Sequence, residues 1–472
     1  MPQARKSRED IVITGIACRF AESANPAAFW QNVMRRRALF TPLQDSLQED
    51  YSIPRKNIFD RPFPAAGSSL GSLYACNPAE QSFPGKMNAG ENQDVFFCVQ
   101  LAINALRDSG ISVRSLPTDC ISLHLGYGQP FNTASVNWLQ HTFFIDQTLD
   151  ILQKLLPSTV PAQLDEIRAQ LSASLPAPTP YALLSSLGCV IAAWTAQSLG
   201  LAGPALVSDA GAVSGHQALQ DAMDDLLTRR ADIALAGAVQ PPLSSAMLQG
   251  MSGTLPFSRR KTLQPFSRNS DGTLPGEGGV FFVLKRLKDA VRQGDRIYAI
   301  VRSTGIVSAA PGNNQRVPTP ECLERALTRA MRRADAAPDS IHLIEAHGSG
   351  IPNSDQTEIN VMHELLGARK PQQPMVAIGS VKGNFGHTLW AAGAAGILKA
   401  ALALHHRVLP PHIEVEKPIQ KIMTAKSPLY LLSEARPWIR GDKKKPRRAC
   451  VSTIDFTGTC AAMIMEEFPE SQ

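Results

Sequence analysis

The sequence predicts an α/β fold in which helices layer onto mixed sheets. Two observations carry the prediction. Apolar runs of strand length alternate with longer runs of helical period along most of the 472 residues. Hydrophobic residues make up 44% of the chain against 19% charged, enough apolar side chains for a large core. The 33 Gly and 35 Pro lie near ordinary usage, which excludes collagen-like repeats and wholesale disorder.

The elements follow in order. IVITGIACRF after Asp10 is an apolar strand, and NPAAFWQNVMRRR is a helix with Phe29, Trp30, Val33 and Met34 on one side. Residues 41–92, rich in Pro, Ser, Gly and Asn, read as an irregular surface excursion. Helical period resumes at DVFFCVQLAINALRDSGI, stopped by Ser-Gly, and CISLHLGYG is a buried strand. Residues 129–180 hold amphipathic stretches broken by prolines, a helical insertion or lid. From 181 onward helix and strand alternate: LLSSLGCVIAAWTAQSLG, GPALVSDAG, SGHQALQDAMDDLLTRR, ADIALAGAV. The second half repeats the alternation with GGVFFVLKRL, IYAIVRSTGI, CLERALTRAMRRAD, IHLIEAHG, VAIGSVKG, AAGAAGILKAALAL and ACVSTIDF. The halves look alike in element order, yet no residue-level repeat joins them.

Composition narrows the function. A net charge of +6 suits an acidic partner surface and is far from a nucleic-acid-binding signature. No apolar run approaches a membrane span, and the N-terminal stretch has the wrong flanks for a signal peptide, so a cytoplasmic protein is expected. The eight cysteines (Cys18, Cys76, Cys98, Cys120, Cys189, Cys322, Cys450 and Cys460) are scattered with no C-x-x-C, which predicts reduced thiols and no metal site. A phosphate-binding P-loop, a dinucleotide G-x-G-x-x-G, a zinc-binding H-E-x-x-H and a G-x-S-x-G elbow are all missing.

A pair of histidines stands out instead. IHLIEAHGSG puts His347 at the end of an apolar strand. VAIGSVKGNFGHTLWAAGAAG puts Lys382 and His387 in a glycine-rich turn that opens a helix. Polar groups at strand carboxyl ends are where α/β sheets bind ligands, and glycines let backbone approach closely. One such histidine would be read as a hydrogen-bonded structural residue; two in one context with a lysine favour a site.

These segments resemble the two histidine motifs of β-ketoacyl synthases, the condensing enzymes of fatty-acid and polyketide assembly. The resemblance spans nearly the whole chain: IVITGIACRF with NPAAFW at the N-terminus, GPALVSDAGAVSGHQAL over the nucleophile elbow, LQPFSRNSDGTLPGEGGVFFVLKRL mid-chain, and RRACVSTIDFTGTCAAMIMEE over the gate loop. It implies the thiolase-like five-layered α-β-α-β-α fold of two similar halves, 1–275 with the insertion near 129–180 and 276–467. It also implies acyl groups carried on the phosphopantetheine of acyl carrier protein, with no other cofactor. The quaternary expectation is a homodimer or a heterodimer with an active ketosynthase, with no nucleic-acid or membrane partner.

The departures from the family matter more. Where the elbow reads D-[TA]-A-C-[SA]-S-S with a thioester-forming cysteine, this chain has DAGAVSG, with Ala212 at the nucleophile position and Gly211, Val213, Gly215 and His216 changed around it. Alanine forms no acyl-enzyme, so two-step condensation is lost. Ser214, Cys189 and Cys460 are weak substitutes, Ser214 pointing elsewhere on the turn and the cysteines reading as apolar filler. In the gate loop, IDFTGTCAA stands for F-G-F-G-G-T-N-A-H: Ile454 replaces the gating phenylalanine, Asp455 and Thr457 replace glycines, and Phe456 remains. Trp390 stands where a glycine follows the second histidine, which predicts a cavity short enough for a malonyl-sized group. By the resemblance, His347 and His387 stabilise the enolate when a malonyl thioester loses carbon dioxide, and Lys382 holds His387. The backbone N–H groups after Ala212 are expected to remain open to an oxyanion or carboxylate. Three functions follow: a malonyl-acyl carrier protein decarboxylase, a silent chain-length-factor-like subunit, or a scaffold whose GDKKKPRR run (Lys443, Lys444, Lys445, Arg447, Arg448) meets an acidic carrier.

Overall fold

A computed structural model describes residues 9–43, 64–75, 93–112, 118–128, 132–177, 184–309, 319–368, 373–441 and 445–469. Much of the 41–92 excursion, and Lys443 and Lys444 of the basic run, lie outside the described residues. Eleven strands form one sheet: β1 (Ile11–Phe20), β2 (Ile121–Gly126), β3 (Ala205–Ser208), β4 (Ile233–Gln240), β5 (Gly278–Arg286), β6 (Ala299–Ser308), β7 (Leu343–Glu345), β8 (Val376–Gly379), β9 (Leu429–Leu431), β10 (Arg448–Ile454) and β11 (Thr459–Glu466). Their spatial order is β9-β8-β7-β10-β11-β6-β1-β5-β4-β2-β3.

That order contains a repetition invisible in the residues. Strands β1 to β5 lie as third, second, fourth, fifth, first; β6, β7, β8, β10 and β11 lie in the same sequence, with β9 added at the edge. In both sets the second strand is parallel to the third and fourth, and the fifth is antiparallel to its two neighbours. The first strands of the two sets, β1 and β6, pair antiparallel and join the halves.

Six helices complete the layers: α1 (Gln93–Asp108), α2 (Gly188–Ser198), α3 (Ser214–Leu227), α4 (Pro320–Ala334), α5 (Pro352–Leu366) and α6 (Ala392–His406). Strand residues alternate between two cores because successive side chains point to opposite faces. Ala234, Ala236 and Ala238 of β4 and Val280, Phe282 and Leu284 of β5 face α3 and α6; so do Ala449 and Val451 of β10 and Met463 and Met465 of β11. The opposite faces of β4 and β5 (Leu235, Val239, Phe281, Val283) pack on α1 and α2. Those of β10 and β11 (Cys450, Ile464) pack on α4 and α5. The outcome is α-β-α-β-α, with α3 and α6 in the middle. Both central helices need small residues where they meet the site: a Cβ on Gly215 would lie 2.7 Å from the Ala394 nitrogen.

Within 129–180, among the described residues, helices span Thr133–Leu139, Ile145–Leu155 and Pro161–Ala173, the first two joined by a π-helical turn at Gln140–Phe144. No helix among the described residues is long and apolar enough to cross a membrane.

Candidate active site

Three tight turns at strand ends bring the site together. The first follows β7, where His347 is held from behind by buried acids. Its N–H donates to Glu358 Oε1 (2.8 Å), the Gly348 N–H donates to Glu358 Oε2 (2.8 Å), and the Ser452 hydroxyl donates to Oε1 (2.8 Å). Asp355 accepts the N–H groups of Phe266 (2.9 Å) and Ser349 (2.8 Å). Both carboxyls start from helix α5, three residues apart and so on one face. Burial pushes Glu358 up to about 7 and Asp355 up to about 6.

The second turn follows β8. Lys382, fully buried, donates from Nζ to the His347 carbonyl at 2.8 Å. Lys382 therefore steadies the backbone of His347, which corrects the expectation that it holds His387: its turn (Lys382–Phe385) sits against the β7 turn, and the ammonium reaches the nearest carbonyl. Burial pulls the ammonium down to about 8, against the carboxylates of Glu358, Glu345 and Asp355, which favour the charge. Glu345 is in turn paired with Lys399 at 2.7 Å and accepts the Val381 N–H at 2.6 Å. His387 is pinned by the mid-chain segment: its N–H donates to the Leu274 carbonyl (2.7 Å), and its carbonyl accepts from Gly276 (3.0 Å). Gly276 is required there, because a Cβ would fall 2.0 Å from the Phe385 carbonyl oxygen.

The imidazoles lie with centroids 5.2 Å apart and planes at 72°. His347 Nδ1 accepts the Ile454 N–H (3.3 Å), and His387 Nδ1 accepts the Leu389 N–H (3.1 Å). A ring nitrogen that accepts a backbone N–H carries no proton, so each neutral ring holds its proton on Nε2. Burial first, then the nearby Lys382 charge, keeps both rings well below the usual imidazole range, hence neutral.

The third turn follows β3. Gly211–Val213 is a single helical turn leading into α3, with Ala212 buried on the cavity wall. The Ala212 N–H, just ahead of that helix, is taken: it donates to Asp455 Oδ1 at 2.7 Å. Asp455 lies at the end of β10 with its side chain turned inward, fully buried, whereas Phe456 is half exposed and Ile454 is buried. All three line the cavity.

Ser214 is closed off as a nucleophile, since its hydroxyl donates to the Gly211 carbonyl (2.7 Å) and accepts the Ala210 N–H (2.8 Å). Cys189 is exposed on α2 away from the cavity, and Cys460 is buried against Cys322, which pushes its thiol up. In the basic run, Arg448 is paired with Glu466 (2.6 Å) and Arg447 with Glu467, so neither arginine is an unengaged surface charge.

Trp390 is buried, with its indole N–H on Asp209 Oδ1 at 2.7 Å. Gly128 makes room for this pair; a Cβ there would lie 2.2 Å from the indole nitrogen. The cavity nevertheless measures about 620 Å³, roomier than a malonyl group alone requires. Trp390 clusters with Leu248, Met251, Leu255 and Phe257 and lines the cavity. Sequence reasoning missed Glu358 and Asp355, although a D-x-x-E at the start of a helix eight residues past a strand-end histidine was a usable signal.

Family comparison matches what the geometry suggests. A family model for the beta-ketoacyl synthase N-terminal domain matches residues 8–290, and one for the C-terminal domain matches 298–416. The chain belongs to the β-ketoacyl synthase family. A mycocerosic acid synthase-like polyketide synthase of Mycolicibacterium smegmatis is 28% identical over 465 residues, 98% of this chain and 20% of that protein. Its counterpart in Mycobacterium tuberculosis is 35% identical over 290 residues, 61% of this chain and 14% of that protein. The chain thus spans about a fifth or less of these curated relatives. Among solved structures, the ketosynthase from module 6 of the bacillaene synthase of Bacillus subtilis 168 superposes with a TM-score of 0.79 at 25% identity, covering 98% of this chain and 72% of that one. The PfaC keto synthase-chain length factor superposes with a TM-score of 0.78 at 25% identity, covering 98% of this chain and 48% of that one. This ketosynthase-like, polyketide-synthase-type chain has the thiolase-like fold.

Proposed function

We propose that this ketosynthase-like chain does not condense acyl groups but removes carbon dioxide from a malonyl unit carried on acyl carrier protein. One observation carries the reading: both imidazoles are neutral with Nδ1 occupied by backbone, so two Nε2–H donors serve one largely apolar cavity. The thioester carbonyl of the malonyl unit accepts both. As the bond to the carboxylate breaks, its electron pair moves into an enolate whose oxygen the two donors hold, carbon dioxide leaves, and a proton supplied by water adds to the carbon to give the acetyl thioester. Each such donor is worth about 2.7–4 kcal/mol of barrier. No metal and no cofactor beyond the carrier's phosphopantetheine is needed. Ala212 provides no nucleophile, so no acyl-enzyme intervenes.

The reading is tested by incubating the chain with malonyl-acyl carrier protein and following intact mass. Catalytic conversion to the acetyl form is expected, with no covalent adduct on the chain.

A second reading, a silent chain-length-factor-like partner of an active ketosynthase, is favoured by a separate observation. Strand β3 is an edge strand beside the Ala212 turn, and its Leu206 is 54% exposed. An exposed edge is a template for pairing with another chain. Malonyl-acyl carrier protein that stays intact, together with co-purification of a ketosynthase, selects this second reading.

A further inference from the structure

We propose that Asp455 is a built-in anion that occupies the backbone donor of residue 212, so that this end of the cavity is shut to acyl transfer by the carboxylate as well as by the alanine. A backbone N–H at the start of a helix is a donor for developing oxyanions, and a 14-residue helix follows this one. Here the donor is spent on Asp455 Oδ1 at 2.7 Å.

The carboxylate is fixed in place. Its Oδ2 accepts the N–H (2.8 Å) and hydroxyl (2.5 Å) of Thr457. The Asp455 backbone is fixed too, with its N–H on the Thr459 carbonyl (2.8 Å) and its carbonyl accepting from Gly458 (3.0 Å).

A second, independent feature fits the first. Gly211 has φ +55°, and a Cβ on it would stand 2.0 Å from Asp455 Oδ1. The carboxylate therefore fits only because residue 211 has no side chain. Gly211 and Asp455 are both departures from the family pattern quoted above, and Thr457 is a third. All three meet in one contact, which a chain that had merely lost its cysteine would not require.

The consequence concerns any thiol placed at 212. A carboxylate beside it disfavours the thiolate, and the tetrahedral oxyanion formed on attack loses the backbone donor of residue 212. Three variants separate these effects: Ala212→Cys alone, Ala212→Cys with Asp455→Asn, and Ala212→Cys with Asp455→Gly. Two reactions are read by peptide-resolved mass spectrometry, so that Cys189 is counted separately. Iodoacetamide alkylation at neutral pH reports the thiolate fraction. Hexanoyl transfer from its N-acetylcysteamine thioester forms the new carbon–sulfur bond and releases N-acetylcysteamine as the free thiol, which takes up the proton.

In the single variant both reactions should be slow. Asp455→Asn removes the charge but leaves an amide oxygen on the Ala212 N–H, so alkylation should rise about tenfold while acylation stays slow. Asp455→Gly should raise acylation as well, by about 10²-fold. The proposal is overturned if the single variant alkylates and acylates as fast as the Asp455→Gly double variant. Should that variant unfold on thermal melting, the Asn pair still decides: equal alkylation in the two folded variants also overturns it. The readout involves no malonyl substrate, so it stands or falls separately from the decarboxylase reading.

Discussion

The two ends of the cavity are built alike and behave in opposite ways. Each is a tight turn after a parallel strand, β7 for His347 and β3 for Ala212, and each has a buried carboxylate binding its backbone N–H groups. At the histidine end, Glu358 binds the N–H groups of His347 and Gly348 from behind, so the imidazole is left to face the cavity. At the Ala212 end, Asp455 is itself a cavity-lining residue and binds the N–H from the front. What a buried acid does to a site thus depends on which side of the donor it occupies. Behind a donor it fixes geometry; in front of one it takes the substrate's place. In the decarboxylase reading proposed above, the chemistry belongs to the end that is braced from behind.

The sharpest way to break this comparison is to remove the donors at the open end. His347→Ala and His387→Ala should each lower malonyl-acyl carrier protein decarboxylation by about 10²–10³-fold, because each deletes one hydrogen bond to the same enolate oxygen. The double variant should fall by less than the product, since the two donors act on one charge. Steady-state conversion to the acetyl form, followed by mass, is the measurement. Variants that match the wild-type chain would leave the histidines with no catalytic work and move the function to the silent-partner reading.

How much of this was legible depended on whether the signal was local. Strand and helix order could be read because alternation and helical period are properties of short windows, and the placement of His347 and His387 at strand-end turns followed from glycines next to them. The repeated strand order could not be read, because pairing partners such as β1 and β6 lie almost 290 residues apart and share no residues. Side-chain direction was illegible for the same reason. Asp455 reads in sequence as bulk in a gate loop; that it reaches the Ala212 N–H, 243 positions away, depends on β10 ending beside the β3 turn. Lys382 is five residues before His387, yet it serves His347, 35 positions upstream, because β7 and β8 are neighbours. The apolar company of Trp390 was illegible for the same reason, since it comes from the separate helix at Ser245–Ser252 and the loop after it.

A gentler perturbation sharpens the role of the acid behind the donor. Glu358→Gln keeps the shape but replaces one acceptor oxygen with an N–H₂ that cannot accept from either His347 or Gly348. One buried N–H is left unsatisfied, which should cost about 1–3 kcal/mol of stability. If Glu358 positions His347, the turnover number should also fall by about tenfold while KM for malonyl-acyl carrier protein stays the same, a displacement of the donor that only the transition state registers. Loss of stability with turnover unchanged would reduce Glu358 to a structural residue and weaken the contrast between the two ends.

The smallest expected effect is the absence of one. A histidine that must stay neutral to accept a backbone N–H at Nδ1 while it donates from Nε2, with an ordinary value near 6.5, would lose half that form at that pH. Here burial and the adjacent Lys382 charge hold both rings well below that range, so the neutral donors are already fully formed at pH 6.5. In Glu358→Gln, which removes the carboxyl that itself sits at about 7, decarboxylation should therefore run flat as pH is lowered from about 7.5 to about 6.5. A buried neutral histidine also makes the unfolded chain the better proton acceptor below its ordinary value, so stability declines on acidification and folding must be checked by circular dichroism at each point. On the alkaline side the sign reverses in origin. Lys382, pulled down to about 8, loses its ammonium there, and the His347 carbonyl then keeps only an uncharged amine donor. Turnover should sag above that pH, and Lys382→Met should erase the sag. An inflection near 6.5 in folded Glu358→Gln would instead mean that an imidazole titrates normally in the cavity, which is incompatible with two neutral donors facing it.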